Sequence, residues 1–117
     1  MSLELDNIPL IAEREKEAIT ALAAEISSVN RLEKAVLFGS RLRGDFNADS
    51  DLDILLIVED ISIKDAVIKI VHDIELEYDV PLSPTIYTSH EYDMNKKLKS
   101  RFIQNIEREG LVIYDSQ

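Results

Sequence analysis

The stretch that decides the fold is AVLFGSRLRGDFNADSDLDILLIV, which runs from Ala35 to Val58. Two short apolar runs, Ala35–Phe38 and Leu52–Val58, stand at its ends, and their length and composition favour buried strands over helices. Between them lie about a dozen mostly polar residues that hold two of the three glycines, Gly39 and Gly44. A connection of this length between two strands is typical of a functional loop.

Helical and strand patterns flank this stretch on both sides. Apolar residues recur at steps of three and four from Leu10 to about Val29, which predicts an amphipathic helix. A second helix is predicted to begin at Ser62, with Asp65 in its first turn as part of the cap. Thr85–Thr88 is β-branched and aromatic, and it predicts a third strand with a proline near its start or at a bulge.

The order of these elements predicts the fold class. A last amphipathic helix carries Leu98, Phe102 and Ile106 and ends at Gly110, and Leu111–Tyr114 is a candidate closing strand. We therefore expect an α/β (α+β) fold, with a small mixed β-sheet and helices packed on it in two layers. The 117 residues suffice for one core, so a single domain is expected over 1–117.

Composition excludes several classes of protein. The chain has 13 basic and 23 acidic residues, a net charge of −10, which argues against tracking of polymeric nucleic acid and leaves cations or a basic partner surface as counterparts. The lack of cysteine excludes disulfide scaffolds and thiolate metal sites and is compatible with the cytoplasm, the location that we expect. Neither an export signal nor a membrane-spanning run is present, so no membrane association is expected.

Two carboxylates stand at the entry of the second strand. Residues two apart on a strand face the same side, so Asp51 and Asp53 should project together. Two like charges side by side are unfavourable unless a cation lies between them. Hard carboxylate oxygens suit Mg²⁺, which proteins commonly share with substrate phosphates. The pair is therefore a candidate metal site, although a solvated turn would also explain it.

The residues that follow the first strand are candidate phosphate ligands. Gly39 permits close approach of the backbone, and the N–H groups and hydroxyl at Ser40 can donate to a phosphate. Arg41 and Arg43 are the nearest positive charges for its oxygens. These four residues, together with the aspartate pair, predict a site for a metal-bound phosphate group.

Two other binding motifs do not match the sequence when their positions are compared one by one. A calcium-binding EF-hand loop that started at Asp45 would place Ser50 where the sharp turn needs glycine and Leu56 where the metal needs glutamate. A P-loop would need lysine and then serine or threonine after Gly44, where the chain has Asp45 and Phe46. Neither motif fits.

The combined pattern resembles a known signature. Gly39-Ser40, ten further residues and then Asp51-x-Asp53 resemble the motif of polymerase β-type nucleotidyltransferases, and Gly-Ser-Arg-x-Arg-Gly resembles their minimal (MNT) members. The resemblance implies that Asp51 and Asp53 hold two Mg²⁺ ions and that Ser40 contacts a nucleoside triphosphate, ATP by default. It also implies the reaction, in which an acceptor hydroxyl attacks the α-phosphorus and pyrophosphate leaves.

A third carboxylate is expected from the same resemblance. Active members supply it from the strand after the intervening helix, but here Val80–Thr88 contains no acid. Asp79 precedes that segment and is the candidate third catalytic acid if the strand begins there. Ser83 and Thr85 lie nearer the expected position.

The resemblance also suggests a partner. Minimal members pair with helical ribonucleases of the HEPN class in toxin–antitoxin modules, so the chain is expected to adenylylate a hydroxyl of such a partner and act as its antitoxin. The acidic surface suits a basic partner. The alternative is a binding module of the same fold that neutralises or regulates a partner with little or no catalysis. Transfer to an antibiotic is a third reading, for which a homodimer would have to build the drug pocket.

Overall fold

A four-stranded sheet organises the chain, of which a computed structural model describes residues 12–43 and 51–117. Its elements, in chain order, are α1 (Glu13–Ile26), β1 (Leu32–Phe38), the short α2 (Ser40–Arg43), β2 (Leu52–Val58), a 3₁₀ turn (Ile61–Ile63), α3 (Lys64–Tyr78), β3 (Leu82–Thr88), α4 (Ser89–Lys97), α5 (Arg101–Glu109) and β4 (Leu111–Asp115). The strand order is β3-β2-β1-β4. Within the described ranges, no helix is both long and apolar enough to cross a membrane.

The sheet is mixed, as the sequence predicts. β1 runs antiparallel to β2 and to β4, whereas β2 and β3 are parallel. Parallel neighbours need a crossover, and α3 supplies it. The candidate closing strand is confirmed as β4, which lies on the outer side of β1.

Helices cover both faces of the sheet. One core cluster joins Ile54, Leu56 and Val58 of β2 to α1 and α3, and a second joins Leu55 and Ile57 to α5. Because side chains alternate along a strand, a strand buried on both sides has an unbroken apolar sequence. This explains the composition of β2. The expectation of two layers is therefore wrong, since the described residues form three: helices, sheet and helices.

Most element boundaries lie close to the predicted ones. β2 has the predicted bounds, while β1 begins at Leu32 and β3 at Leu82, each three residues earlier than predicted. The first predicted helix, from Leu10 to Val29, is shorter as α1, and its first two residues lie outside the described ranges. The lengths of β1 and β3 were underestimated because the charged residues and prolines near their first residues are also typical of turns.

Two helix ends differ from the prediction. The helix predicted from Ser62 begins at Lys64 as α3, after a 3₁₀ turn that Asp60 caps. The Asp60 carboxylate accepts the Ser62 N–H at 2.9 Å, and this backbone hydrogen bond lowers the pKa of Asp60. The predicted last helix is divided, because α4 ends at Lys97 and Ser100 caps α5. Leu98 is 76% exposed, so it does not belong to the buried face that the sequence suggests.

A polar cluster fastens α4 to α5. The Tyr92 hydroxyl donates to Glu107 at 2.9 Å, and the Lys96 ammonium lies 3.0 Å from the same carboxylate. Burial, followed by the hydrogen bond to Glu107, raises the pKa of Tyr92. The bonds from Lys96 and Tyr92 lower the pKa of Glu107. The cluster helps to hold α5 in place against its face of the sheet.

Replacing Leu56 with alanine tests the packing of the central strand. Leu56 is completely buried between the sheet and the helices α1 and α3. We expect Leu56→Ala to lower the free energy of unfolding by about 2–5 kcal/mol, the usual cost of a buried leucine. The matched control is Leu76→Ala at a side chain that is 83% exposed, where we expect a change below about 0.5 kcal/mol. Urea titrations of the two variants give the comparison, and equal losses would contradict the described core.

Candidate active site

Gly39 and Asp53 meet where β1 ends. Phe38 is the partner of Asp53 in the antiparallel register, so the next residue, Gly39, passes beside the Asp53 side chain. A Cβ atom on Gly39 would overlap the Asp53 Oδ2 atom and lie 3.1 Å from its Cγ. The backbone of Gly39 also has φ +99°, a conformation that residues with a side chain rarely adopt. Position 39 therefore requires glycine for two reasons. Its backbone conformation disfavours a side chain, and the Asp53 carboxylate fills the space that a Cβ atom would need.

The Asp53 carboxylate lies in a cavity of about 320 Å³, which is within the size range of small-ligand sites. The turn, β2 and α5 contribute its walls. The lining residues are Phe38, Gly39, Ser40, Asp53, Phe102, Asn105, Ile106 and Glu109. The structure thus brings together three of the predicted site residues, namely Gly39, Ser40 and Asp53.

The contribution of α5 to this cavity was missed by the sequence analysis. The α5 residues in the cavity wall lie three, four and seven positions after Phe102, so they share one face of the helix with it. They are Asn105, Ile106 and Glu109. Phe102 stacks edge-on against Phe38, with ring centroids 5.4 Å apart. The periodicity was visible in the sequence, but nothing in it indicated that this face turns toward the aspartate pair.

Asp51 stands just before β2 and is exposed. Strand alternation would place its side chain on the same side of the sheet as that of Asp53, and this stays a prediction. Within residues 12–43 and 51–117, no group of three or more histidines and acids is arranged to hold a metal ion. The two aspartates thus offer an incomplete ligand set, which substrate phosphates would have to complete.

The third carboxylate is absent from the described face of β3. Ser83 is the residue aligned with Asp53 across the parallel pair, and Thr85 follows on the same face. These are the two positions that the sequence analysis placed nearest the expected acid. The strand therefore presents hydroxyl groups beside Asp53 where an acid was expected.

Asp79 lies elsewhere. It ends α3 in the left-handed conformation, with φ 55°, and β3 begins only at Leu82. Its side chain is 94% exposed and lies 3.6 Å from Arg14 of α1. Asp79 does not line the cavity that holds Asp53. The condition under which Asp79 was predicted to act, that the strand begin there, is not met, and its catalytic role stays a prediction.

Arg41 has a buried partner in α1. Its guanidinium Nη2 lies 2.7 Å from Glu15 Oε1, and the side chains are only 6% and 13% exposed. The contact fastens the short α2 to α1, close to Ser40. The prediction that Arg41 also contacts nucleotide is not tested by these contacts. Arg43 is the last residue of α2, and its side chain, like residues 44–50, lies outside the described part.

A known protein family matches most of the chain. Residues 20–117 match the family described as polymerase beta nucleotidyltransferase. The chain belongs to this family. The sequence and the small α+β fold are consistent with a minimal nucleotidyltransferase domain, and the protein is a nucleotidyltransferase.

Two relatives agree with this assignment. Two proteins of Methanocaldococcus jannaschii, each named "putative protein adenylyltransferase", are 33% identical over 102 residues and 36% identical over 99 residues. The matches cover 83% and 85% of this chain and 96% and 93% of the relatives. A crystal structure of a "putative nucleotidyltransferase" from Sulfolobus solfataricus covers 90% of both chains at 23% identity, with a TM-score of 0.45.

The site fits a divalent cation and a phosphate in its chemistry. Asp51 and Asp53 offer hard oxygen ligands, of which Asp53 lines the cavity, and the lack of a side chain at Gly39 leaves space for the Asp53 carboxylate. Ser40 adds a hydroxyl and a backbone N–H to the same cavity. The chemistry of these residues therefore fits a metal-bound triphosphate.

A double-mutant cycle tests the contact between Gly39 and Asp53. We expect Gly39→Ala to lower the free energy of unfolding by about 1–3 kcal/mol, because the backbone conformation and the carboxylate both resist a Cβ atom. In an Asp53→Ala background the overlap is relieved, so the same change should cost less. Urea unfolding of the parent, the two single variants and the double variant gives the coupling. Equal costs in both backgrounds would show that the two residues do not touch.

Removal of the buried guanidinium tests the role of Arg41. Arg41→Ala leaves Glu15 buried without its ion-pair partner, and we expect a loss of about 3–5 kcal/mol in unfolding free energy. The control is Lys69→Ala, which breaks an exposed pair with Asp73 at 2.9 Å and should cost far less, because solvent screens an exposed pair. Chemical denaturation at low and high salt distinguishes them, since only the exposed pair is screened. A negligible effect of Arg41→Ala would contradict the structural role.

Proposed function

We propose that this nucleotidyltransferase transfers AMP from ATP to a hydroxyl group of a protein partner. The observation that carries the proposal is the placement of Asp53 against the Gly39-Ser40 turn inside a cavity of ligand size. The choice of adenylyl group and of a protein acceptor is supported by the names of the two archaeal relatives.

The proposed roles follow from the chemistry of each residue. Asp51 and Asp53 would hold two Mg²⁺ ions, which when bound neutralise the charge that develops on the transferred phosphoryl group. Ser40 and the backbone after Gly39 would bind the triphosphate and keep it in line with the acceptor. Arg41 and Arg43 are the further candidates for its phosphate oxygens. The acceptor oxygen then forms a bond to the α-phosphorus as pyrophosphate departs.

The proposed partner is a helical ribonuclease of the HEPN class, with the nucleotidyltransferase as its antitoxin. The net charge of −10 supports a basic partner, since complementary charge accelerates encounter and excludes other acidic proteins. An RNA-cleaving enzyme has to attract a polyanion, so a basic active face is expected of it. Modification of a hydroxyl there would block access of the RNA.

Label transfer tests this function. The purified protein, alone and with the HEPN-type partner, is incubated with each of the four α-labelled nucleoside triphosphates, with Mg²⁺ or with a chelator. We expect Mg²⁺-dependent label on the partner from ATP, and a loss of at least about 100-fold in Asp51→Ala and Asp53→Ala. Absence of labelled protein under every condition would overturn the proposal.

The second candidate is a binding module that neutralises its partner without chemistry. It is favoured by one observation, that Ser83 and Thr85 occupy the site face of β3 where a third carboxylate is expected. Inhibition of the partner's ribonuclease activity separates the two functions. Neutralisation by Asp51→Ala and Asp53→Ala that equals that of the parent would support binding alone, whereas its loss together with the label would support transfer.

A further inference from the structure

We propose that Glu109, near the end of α5, supplies the carboxylate that β3 lacks and accepts the proton of the attacking hydroxyl. The inference rests on the proposed nucleotidyl transfer and adds a catalytic residue to it. Glu109 is not part of the sequence motif and lies 56 positions after Asp53 in the chain. Strand register, the packing of α5 and the acids in the cavity wall all place Glu109 at this site.

Strand register brings Glu109 to the same end of the sheet as Asp53. On one side of β1, Phe38 pairs with Asp53, and on the other side the adjacent Leu37 pairs with Leu111. Glu109 is two residues before Leu111, at the last position of α5. The two carboxylates therefore flank the same end of β1 although they come from distant parts of the chain.

The end of α5 is fixed against β1. A Cβ on Gly110 would lie 2.5 Å from Val36 Cγ1 and 2.6 Å from the Ile106 carbonyl oxygen, so only glycine fits this closely. The Gly110 N–H donates to that carbonyl at 2.8 Å, and β4 begins at the next residue. Glu109 is thus held on the last turn of an anchored helix, immediately before a strand of the sheet.

The side chain of Glu109 is part of the cavity wall. It lies one turn beyond Asn105 and Ile106 on the helix face that looks into the site, and the side chain is 33% exposed. Arg108 Nη2 donates to Glu109 Oε1 at 3.2 Å and to Asn105 Oδ1 at 2.9 Å. These bonds restrict the orientation of both polar side chains that α5 contributes.

The acids that line this cavity are Asp53 and Glu109. β3 contributes Ser83 and Thr85 to the same face of the sheet, and Asp79 lies outside the cavity. Within the described residues Glu109 does not form a three-ligand metal group with the aspartates. We therefore assign Glu109 to the acceptor hydroxyl and not to the metal ions.

The proposed step is a nucleotidyl transfer. The acceptor oxygen forms its bond to the α-phosphorus, and the bond from that phosphorus to the bridging oxygen of pyrophosphate breaks, with the electron pair leaving on pyrophosphate. The hydroxyl proton passes to a Glu109 carboxylate oxygen and is later released to solvent. A glutamine at this position would still accept a hydrogen bond but could not take the proton.

Glu109→Gln separates this role from a structural one. With the partner complex, α-labelled ATP and Mg²⁺, we expect kcat for label transfer to fall by about 100-fold or more. The Kd for a fluorescent ATP analogue and the urea unfolding midpoint should equal those of the parent, because shape and size are kept. Glu109→Asp should retain part of the rate. The matched control is Glu17→Gln, at an exposed glutamate of α1 that does not line the cavity, and it should transfer at the parental rate.

The outcomes distinguish the two proposals. An active parent with an equally active Glu109→Gln would overturn the role of Glu109 and leave the proposed function intact. Loss of ATP-analogue binding in Glu109→Gln would also overturn it, because the residue would then support binding and not proton transfer. A parent that transfers no label to its partner would overturn both. A selective loss of kcat in Glu109→Gln, with Glu17→Gln unaffected, would support the assignment.

Discussion

The close approach of the Gly39 backbone to the Asp53 carboxylate is the constraint on which the site depends. β1 must end beside Asp53, and the chain must turn there without placing a side chain on the carboxylate. Positive φ at Gly39 makes that turn and delivers Ser40 to the same cavity. The proposed phosphate-binding residue Ser40 and the proposed metal ligand Asp53 are thereby brought together by one antiparallel pair of strands. The pairing register of β1 and β2 therefore sets the position of Ser40 relative to Asp53.

Local sequence was sufficient for the part of the site that lies on this strand pair. The unbroken apolar run of β2 predicted its bounds. The Gly39-Ser40 pair was predicted at the strand end where it is found. These features succeed because each depends on residues that are neighbours in the chain, where steric rules and strand alternation act directly.

The rest of the cavity could not be predicted in this way, because it depends on how distant elements pack. The face of α5 that reaches Asp53 is set by the pairing of β4 with β1, and the partner of Arg41 is a glutamate on α1. The covering of both sheet faces follows from the burial of Leu55 as well as Ile54, which an apolar run alone does not reveal. Hydrophobic periodicity indicates that a helix has a buried face without indicating what lies opposite.

Pro84 has a consequence for the outer boundary of the sheet. β3 is an edge in the described strand order, and Pro84 sits in its middle, aligned with Ile54 of β2. Proline has no N–H to offer to a further strand, so the ladder that a second molecule would try to build along this edge is interrupted. The same residue that made β3 difficult to recognise in the sequence thus helps to protect a chain with a strongly apolar sheet from edge-to-edge aggregation.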